Sequence, residues 1–403
     1  MPNWSPQSYL KEGREQGIDD QILNNAISVA EEIIKIDSAL PVIFSLNHLA
    51  KLTDVEHSLL RMVVSRDLRN PYHIFQLRKG IEFEEFEKFI PALGEKKVYT
   101  RVRRNHGRGF RTICVPSPGL KAVQRWISNN ILEQVQPHHA SCAYTKGSKI
   151  IDAAKLHSGC RWMIKLDVRN FFESISEKRV HRVFLELGYQ PLLAFELARI
   201  CTRVKGKKDH QKSKNYRYNK IMFYQDARIG HLPQGAPTSP MLSNLVMRKF
   251  DEKVMAIATE HQLFYSRYAD DLCLSTDRKD FSRGEAAKVI KSIYMTMHQF
   301  ELAPNLVKTC VVPPGARKMI LGLLVDRKGK PRLSREFRSK LRQHIHYITD
   351  ENYGPVKHAS NRGFSSVWGM RNHVEGLIAH ACQIDAEYGN ECKAKLEAVK
   401  WPF

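Results

Sequence analysis

Two adjacent aspartates, Asp270 and Asp271, lie in the apolar stretch "FYSRYADDLCLST". Because Asp tolerates turn geometry and hydrogen-bonds its own backbone, the pair could simply form a turn. A third aspartate, Asp167, follows the apolar run "RWMIKL". Carboxylates gathered at one place repel one another and raise a carboxyl pKa unless divalent cations neutralise them. Mg²⁺ prefers carboxylate oxygens, so such a cluster would suit phosphoryl transfer assisted by two metal ions.

The elements around these aspartates are able to bring them together. The apolar run before Asp167 predicts a strand that ends at this residue. The segments "FYSRY" and "LCLS" predict two paired strands with Asp270 and Asp271 at the tip of their hairpin. If these strands lie side by side in one sheet, all three carboxylates converge.

The charge of the chain points to a polyanionic partner. Lys and Arg outnumber Asp and Glu by 64 to 42, which gives a net charge of +22. An excess of this size is typical of proteins that bind nucleic acid, although a basic protein that is merely soluble is the alternative. A basic segment at about residues 203–220 is either a solvated loop or part of the nucleic-acid contact.

Composition excludes other classes of protein. No stretch of the 403 residues reaches the roughly 20 apolar residues of a membrane helix. The N-terminal residues lack the basic-then-apolar order of a signal peptide, so we expect a cytoplasmic protein without a membrane partner. The eight cysteines contain no CxxC pair, which favours reduced, packed thiols over a disulfide or zinc framework.

Hydrophobic periodicity predicts that the first hundred residues are mostly helical, and the strand-forming residues of 96–119 predict a β-hairpin. Ser239 is predicted to cap a helix that follows a Gly/Pro-rich loop. Beyond Ile320, the sequence predicts a hairpin that turns at residues 328–329 and then a basic helix. His344 and His346 have no cysteine or acid nearby at ligand spacing, so we expect the pair on a surface or nucleic-acid-facing helix rather than in a metal site.

Three motifs occur in a fixed order along the chain. The segment "LDVRNFFESI" comes first, Gln234–Pro240 reads "QGAPTSP", and Tyr268–Asp271 reads "YADD". They resemble, respectively, the first aspartate motif, the QGxPxSP loop and the YxDD box of reverse transcriptases. The resemblance extends from "GFRTICVPSPG" to "ILGLLVD". The residues of these motifs are most similar to those of retron and retron-like bacterial enzymes, including those of antiphage defence systems.

This resemblance implies an α+β chain with the right-hand polymerase fold, which has fingers, a palm of antiparallel sheet plus helices, and a helical thumb. On this basis residues 1–95 are a helical region with the start of the fingers, and residues 96–160 complete the fingers. Residues 161–319 form the palm, and residues 320–403 form the primer grip and thumb.

The resemblance also implies the catalytic residues. Asp167, Asp270 and Asp271 would hold two Mg²⁺ ions, for which Mn²⁺ can substitute, and the backbone of Val168 would face the triphosphate. Lys308 matches a candidate general acid for the pyrophosphate leaving group. A plain surface lysine is the alternative for Lys308.

Residues that bind the nucleotide follow in the same way. Arg111 matches the fingers arginine that contacts the triphosphate, with Arg104 or Arg108 assisting. Phe172 matches the aromatic gate that excludes a ribose 2′-OH, whereas core packing is expected of Phe171. Gln234 and Gly235 would support the nucleotide and the template pair.

Contacts to nucleic acid are implied at five further positions. Leu321 and Gly322 belong to the primer grip, and Arg338 and Arg342 belong to the basic helix that starts the thumb. Tyr268, the first residue of the YxDD box, completes this set.

Two departures from retron enzymes concern elements associated with recognition of the cognate RNA. Residues 153–157 read "AAKLH" where those enzymes carry NAxxH, and residues 320–322 read "ILG" where they carry VTG. These departures bear on retron-type priming and leave the polymerase chemistry in place. The resemblance as a whole implies an RNA-directed DNA polymerase that extends a primer with dNTPs, with a dedicated non-coding RNA and an effector or toxin protein as expected partners. Untemplated or protein-primed DNA synthesis and a catalytically silent RNA-binding scaffold are the alternatives.

Overall fold

The computed structural model of the protein describes residues 5–78, 82–90, 95–103, 110–204, 229–326 and 329–402. Helices and antiparallel strands are mixed along the described chain, as expected for an α+β fold. The helices are α1 Pro6–Glu15, α2 Asp20–Ile36, α3 Leu46–Thr53, α4 His57–Ser65, α5 Pro118–Asn130, α6 Ile150–Lys155, α7 Glu177–Glu186, α8 Pro191–Cys201, α9 Ser239–Val246, α10 Arg248–Glu260, α11 Arg283–Gln299, α12 Arg335–Thr349, α13 Gly354–Asn361, α14 Val367–Ile384 and α15 Ala386–Glu397. The strands are β1 Tyr72–Arg78, β2 Glu82–Ile90, β3 Glu95–Arg103, β4 Phe110–Pro116, β5 Trp162–Asp167, β6 Phe264–Tyr268, β7 Asp271–Thr276, β8 Cys310–Val312, β9 Met319–Ile320, β10 Leu323–Leu324 and β11 Arg332–Leu333.

The chain divides into two compact units. The first unit comprises Met1–Lys146, Asp167–Lys253 and Tyr294–Val307. The second unit comprises Gly147–Leu166, Val254–Ile293 and Lys308–Phe403. Among the described residues, no helix is both long and apolar enough to cross a bilayer.

Two strand pairs belong to the first unit, and they differ from the sequence prediction. β4 pairs with β1, with Tyr72 opposite Pro116, and β3 pairs with β2, with Glu82 opposite Arg103. The predicted hairpin within residues 96–119 is therefore wrong, because β3 and β4 each pair with a strand that precedes them. β1 and β2 are exceptions to the mostly helical first hundred residues. The partner of β4 lies far back in the sequence, where a local turn pattern gives no signal.

A buried polar link ties the first of these strands to helices of the same unit. Gln124 of α5 is fully buried, and its Nε2 donates to the Tyr72 hydroxyl at 2.9 Å and to the Ile200 carbonyl at 2.8 Å. Leu120, Val123 and Ile127 repeat at helical spacing on the buried face of α5. Apolar packing and two satisfied donors thus hold α5 against β1 and the end of α8.

A loop and α9 of the first unit begin differently from the prediction. Thr238, rather than Ser239, precedes the helix, and Ser239 is its first residue. The Ser239 hydroxyl donates to the carbonyl of Pro233 at 2.7 Å. The predicted N-cap is therefore wrong by one residue, since this hydroxyl reaches back across the Gly/Pro-rich loop instead of bonding to the helix.

A four-stranded sheet with the order β6-β7-β5-β8 forms the centre of the second unit. β5 pairs antiparallel with β8, where Met163 lies opposite Val312. Met163 and Cys273 of this sheet share one apolar cluster with Leu323 of the smaller sheet and with Leu341 and Ile378 of the C-terminal helices. Apolar burial therefore anchors the strands on the same core as the helices that follow them.

The small sheet β11-β10-β9 confirms the predicted hairpin beyond Ile320, because Leu323 pairs with both Ile320 and Leu333. Of the predicted turn, residue 328 lies outside the described residues. The predicted basic helix is α12. The surface position predicted for the histidine pair is confirmed for His346, which is exposed. It is wrong for His344, which is buried with its Nδ1 2.9 Å from Nε2 of His358.

Candidate active site

The β6–β7 hairpin confirms the predicted setting of the aspartate pair. Tyr268 lies opposite Asp271, so Ala269 and Asp270 form a two-residue turn. Ala269 has a φ of 54°, in the left-handed region that costs a residue with a Cβ about 1–2 kcal/mol. Asp270 is half-buried and Asp271 is exposed. Because strained backbone persists only where its surroundings enforce it, the contacts of this turn carry information about function.

Arg267 supplies one of those contacts. Its side chain is fully buried within the second unit, and its Nη1 donates to the Ala269 carbonyl at 3.0 Å. A charged donor in a low-dielectric setting makes a strong hydrogen bond. The guanidinium therefore holds the left-handed residue of the turn from inside the protein. The sequence analysis did not identify Arg267, although an arginine alternating with apolar residues on a predicted strand was a visible signal.

His157 links the two strands that lead to this turn, and the sequence analysis missed this contact. Its Nδ1 lies 2.7 Å from the Ser275 hydroxyl on β7, and its Nε2 lies 2.8 Å from the Ser266 hydroxyl on β6. Burial lowers the pKa of His157 to about 4. The ring is thus neutral at neutral pH and links the two strands of the hairpin.

Asp167 is the last residue of β5 and is almost fully buried. The Asn305 side-chain Nδ2 donates to its Oδ1 at 2.7 Å, and the Asn305 backbone N–H donates to its carbonyl at 2.8 Å. Val168 forms a backbone bridge with Pro304. Two bonds from one residue therefore fix both the carboxylate and the backbone of Asp167. Asn305 is a positioning residue that the sequence analysis did not single out.

The loop with Gln234 and Gly235 lies against β4, the strand that carries Arg111. The Gln234 carbonyl accepts a hydrogen bond from the Cys114 N–H at 2.8 Å. Gly235 has a φ of 112°, and a Cβ there would lie 3.0 Å from the Cys114 carbonyl oxygen. Glycine is therefore required by both conformation and space. Arg111 is exposed, whereas Arg104 and Arg108 lie outside the described residues.

The two neighbouring phenylalanines differ as predicted in burial. Phe171 is buried, which confirms its packing role, and Phe172 is half-buried at the start of a short 3₁₀ helix, Phe172–Ser174. The Phe172 ring lies 5.4 Å from that of Phe171 and 6.4 Å from that of Tyr144, between ring centroids. An accessible part of Phe172 is thus available to a ligand, and its role as a gate stays a prediction.

Leu321 and Gly322 form the turn between β9 and β10, and both have positive φ values, 48° and 82°. Lys308 is exposed, and Tyr268 is half-buried beside the aspartate pair. These positions allow the contacts predicted for them without testing those contacts.

Of the two thumb arginines, Arg342 is exposed on α12. Arg338 instead makes an ion pair with Asp385, and its guanidinium lies over the Tyr388 ring at 4.7 Å. Arg338 thereby joins α12 to α15, so an intramolecular role accompanies the nucleic-acid contact predicted for it.

No group of three or more His, Cys, Asp or Glu side chains within the described ranges has the geometry of a metal cage. Mg²⁺ in phosphoryl-transfer enzymes is bound by one or two carboxylates, with water and substrate phosphates supplying the other ligands. The strand-end carboxylate Asp167 and the turn carboxylate Asp270 are oxygen donors of the type that such a site requires.

An antiparallel sheet with an aspartate at the end of one strand and an aspartate pair at a hairpin turn defines the class of right-hand nucleic-acid polymerases. The family model for "Reverse transcriptase (RNA-dependent DNA polymerase)" matches residues 103–323. The chain belongs to this reverse transcriptase family, and it is a nucleotidyltransferase that acts as an RNA-directed DNA polymerase.

Relatives with curated names agree with the predicted resemblance to retron enzymes. The chain is 29% identical to the retron Ec86 reverse transcriptase of Escherichia coli, over 73% of this chain and 82% of the relative. It is 28% identical to the retron Ec83 reverse transcriptase of the same species, over 76% and 88%. Identity to the retron Mx162 reverse transcriptase of Myxococcus xanthus is 31%, over 59% of this chain and 49% of that relative.

Proposed function

We propose that this protein copies a dedicated structured RNA into DNA, in a retron-like system of antiphage defence, by phosphoryl transfer assisted by two Mg²⁺ ions. The Asp167, Asp270 and Asp271 carboxylates and the Val168 carbonyl would hold the ions. The observation that carries the metal assignment is the strained Ala269–Asp270 turn, which the buried Arg267 guanidinium supports.

Strand order favours the convergence of these carboxylates. β7 is the hydrogen-bonded neighbour of β5, and the Arg161 N–H, just before β5, donates to the Thr276 carbonyl at the end of β7 at 2.8 Å. Since the start of one strand lies beside the end of the other, we infer that their opposite ends point toward one edge. Those opposite ends carry Asp167 and Asp271.

The residues of the chain have separate tasks in this proposal. Bound Mg²⁺ would lower the cost of the negative charge that develops on the attacking and leaving oxygens. Asn305 orients the Asp167 carboxylate through Oδ1. Arg111 binds the triphosphate of the incoming nucleotide, and Lys308 donates a proton to the departing pyrophosphate.

Selection of deoxynucleotides is assigned to Phe172. Its partly accessible ring, backed by the buried Phe171, provides a rigid surface against which a ribose 2′-OH would clash. Phe172→Ala is expected to admit ribonucleotides while dNTP incorporation persists. Unchanged discrimination between dNTPs and rNTPs in that variant would remove the gate assignment.

The RNA partner is supported by the net charge of +22 and by the retron names of the relatives. Purification from the native host followed by sequencing of the bound nucleic acid tests this part directly. A single structured RNA joined to complementary DNA is the expected result. A diverse RNA population, or DNA attached to protein, would contradict a dedicated RNA template and primer.

The metal assignment is tested with Asp167→Asn and Asp270→Asn in primer extension with Mg²⁺. Loss of one group that stabilises transition-state charge typically reduces turnover by about 100- to 1000-fold, and we expect the upper end of this range for each variant. Asp277→Asn is the matched control, because Asp277 is exposed just beyond the far end of β7. Wild-type rates for Asp270→Asn, with folding verified by circular dichroism, would overturn the assignment.

A further inference from the structure

His157 has a position that no role assigned so far requires. It belongs to the "AAKLH" segment that stands where retron enzymes carry an RNA-associated element. The side chain is only 1% exposed, and it lies just beyond the end of α6. RNA cannot reach this imidazole without opening the sheet beneath it, so direct RNA recognition by this side chain does not fit its burial.

Both imidazole nitrogens are engaged by the same hairpin. Ser266 on β6 lies opposite Cys273, and Ser275 on β7 lies opposite Phe264, so the two serines are diagonal neighbours across the strand pair. The ring bonds to one serine with each nitrogen, at 2.8 Å and 2.7 Å. A hydroxyl group rotates to act as donor or acceptor. Either neutral tautomer of the imidazole can therefore form hydrogen bonds with both serine hydroxyls.

We propose that His157 is a positioning residue for DNA synthesis, which locks β6 to β7 and thereby fixes the turn that presents Asp270. This inference rests on the proposed role of Asp270 and Asp271 as metal ligands. His157 itself touches neither the substrate nor the metal.

The connection from His157 to the turn is short. Ser266 directly precedes Arg267, and the Arg267 guanidinium holds the Ala269 carbonyl. A slip of β6 along β7 would therefore move the donor that maintains the left-handed residue of the turn. Residues hydrogen-bonded to a metal ligand typically change metal affinity about 10- to 100-fold when they are replaced. His157 acts one step further back, through Ser266 and Arg267, so we expect the lower end of this range.

Burial also excludes a different role for His157. Its pKa is lowered to about 4 by burial, and both nitrogens are already bonded, so the ring cannot exchange protons with a nucleotide at neutral pH. A structural clamp is the remaining chemistry for a neutral, enclosed imidazole.

The test measures single-nucleotide incorporation as a function of Mg²⁺ concentration, with the full-length protein on a defined RNA template and DNA primer. His157→Ala is expected to raise the half-saturating Mg²⁺ concentration about tenfold. His157→Gln retains a polar group near the position of Nε2 and keeps the Ser266 contact, whereas His157→Asn retains one near Nδ1 and keeps the Ser275 contact. Since Ser266 adjoins Arg267, Gln should restore more Mg²⁺ affinity than Asn.

Val374→Ala is the matched control, because Val374 is fully buried in α14 and shares the apolar cluster of Cys273, but its side chain offers no polar bond to either strand. At a temperature where both variants are folded, the control should leave the half-saturating Mg²⁺ concentration unchanged. An equal Mg²⁺ dependence in His157→Ala and Val374→Ala would overturn the inference. A selective loss of RNA binding by His157→Ala, with normal Mg²⁺ dependence, would overturn it in favour of RNA recognition.

Failure of the proposed metal site gives a different pattern. Full activity of Asp270→Asn would remove the metal assignment whatever the His157 variants do. Inactive Asp270→Asn combined with wild-type Mg²⁺ dependence in all three His157 variants would overturn only the positioning role.

Discussion

Two hairpins of the second unit turn through two residues each, yet they are held in different ways. In the β6–β7 hairpin, the left-handed residue is Ala269, and buried Arg267 and His157 support the strands and the turn. In the β9–β10 hairpin, Leu321 and Gly322 are both left-handed, and a Cβ added to Gly322 would meet no atom within 4 Å. In the first turn a buried guanidinium bonds the left-handed residue itself, whereas the second turn combines a left-handed leucine with a glycine that adopts such a φ without steric cost.

The difference corresponds to what each turn is proposed to do. A metal-binding carboxylate needs placement to within a fraction of an ångström, which justifies buried polar groups and local strain. A turn that grips a primer contacts a backbone that is the same for every sequence, so an open and simple turn suffices. The turn proposed to bind metal therefore has more internal support than the turn proposed to contact the primer.

The largest effect is expected from removal of the support beneath the β6–β7 turn. Arg267→Met deletes a buried guanidinium and leaves the Ala269 carbonyl without this donor, which should lower the free energy of unfolding by about 3 kcal/mol. Urea unfolding measures the change. Arg332→Met is the control in the other sheet, where the partly exposed ion pair with Asp326 should contribute less than about 1 kcal/mol. Equal losses in both variants would show that the guanidinium beneath the β6–β7 turn contributes no more than an ordinary ion pair of the small sheet.

Acid should weaken the first hairpin because it depends on a neutral histidine. The pKa of His157 is about 4 in the folded protein, and an unfolded histidine titrates near 6.5. As the pH falls below 6.5, His157 is protonated in the unfolded chain but stays neutral in the folded protein. The free energy of unfolding therefore decreases until the pH reaches about 4. The contribution of this residue should fall by about 2 kcal/mol between pH 7 and pH 5.

Comparison with His157→Gln isolates that contribution, since the other histidines are present in both proteins. We expect wild-type stability to decline more steeply than that of His157→Gln over this pH range. If the unfolding free energies of the two proteins change in parallel with pH, the loss of stability in acid does not come from His157. Residues 319–324 of the second hairpin contain no histidine.

The smallest effects on stability are expected from two single substitutions, Gly322→Ala in one turn and Ala269→Gly in the other. Gly322→Ala places a Cβ at a φ of 82° and should cost about 1 kcal/mol of stability. Ala269→Gly relieves strain but increases the freedom of the unfolded chain, so its net change should stay within about 0.5 kcal/mol. Chemical denaturation of the two variants measures both. A larger loss for Ala269→Gly than for Gly322→Ala would reverse the comparison.

The sequence was sufficient to predict the local part of this arrangement. An apolar run before Asp167 and alternation around "YADD" correctly predicted a strand end and a hairpin turn, since both patterns lie within a few residues. The order of the three motifs correctly indicated the reverse transcriptase family.

What the sequence could not show depends on residues that are distant from one another along the chain. β1 pairs with β4, and His157 bonds to Ser266 and Ser275, across separations that no local pattern reveals. His344 was predicted on a surface helix because its sequence neighbours offer no ligand partners, whereas His358 of the next helix contacts it and it is buried. Local sequence predicts whether a segment is a helix or a strand. Tertiary packing determines which of its side chains are buried and what they contact.

Cleavage by bound iron tests the central claim, that the β6–β7 turn rather than the β9–β10 turn holds the catalytic metal. Fe²⁺ replaces Mg²⁺ in the full-length protein, peroxide and ascorbate generate hydroxyl radicals, and the cut positions are mapped by mass spectrometry. We expect cuts close to Asp167 and to residues 269–271, their loss in Asp270→Asn, and none at residues 321–322. Cleavage confined to residues 321–322, or cuts at residues 269–271 that persist undiminished in Asp270→Asn, would contradict the account.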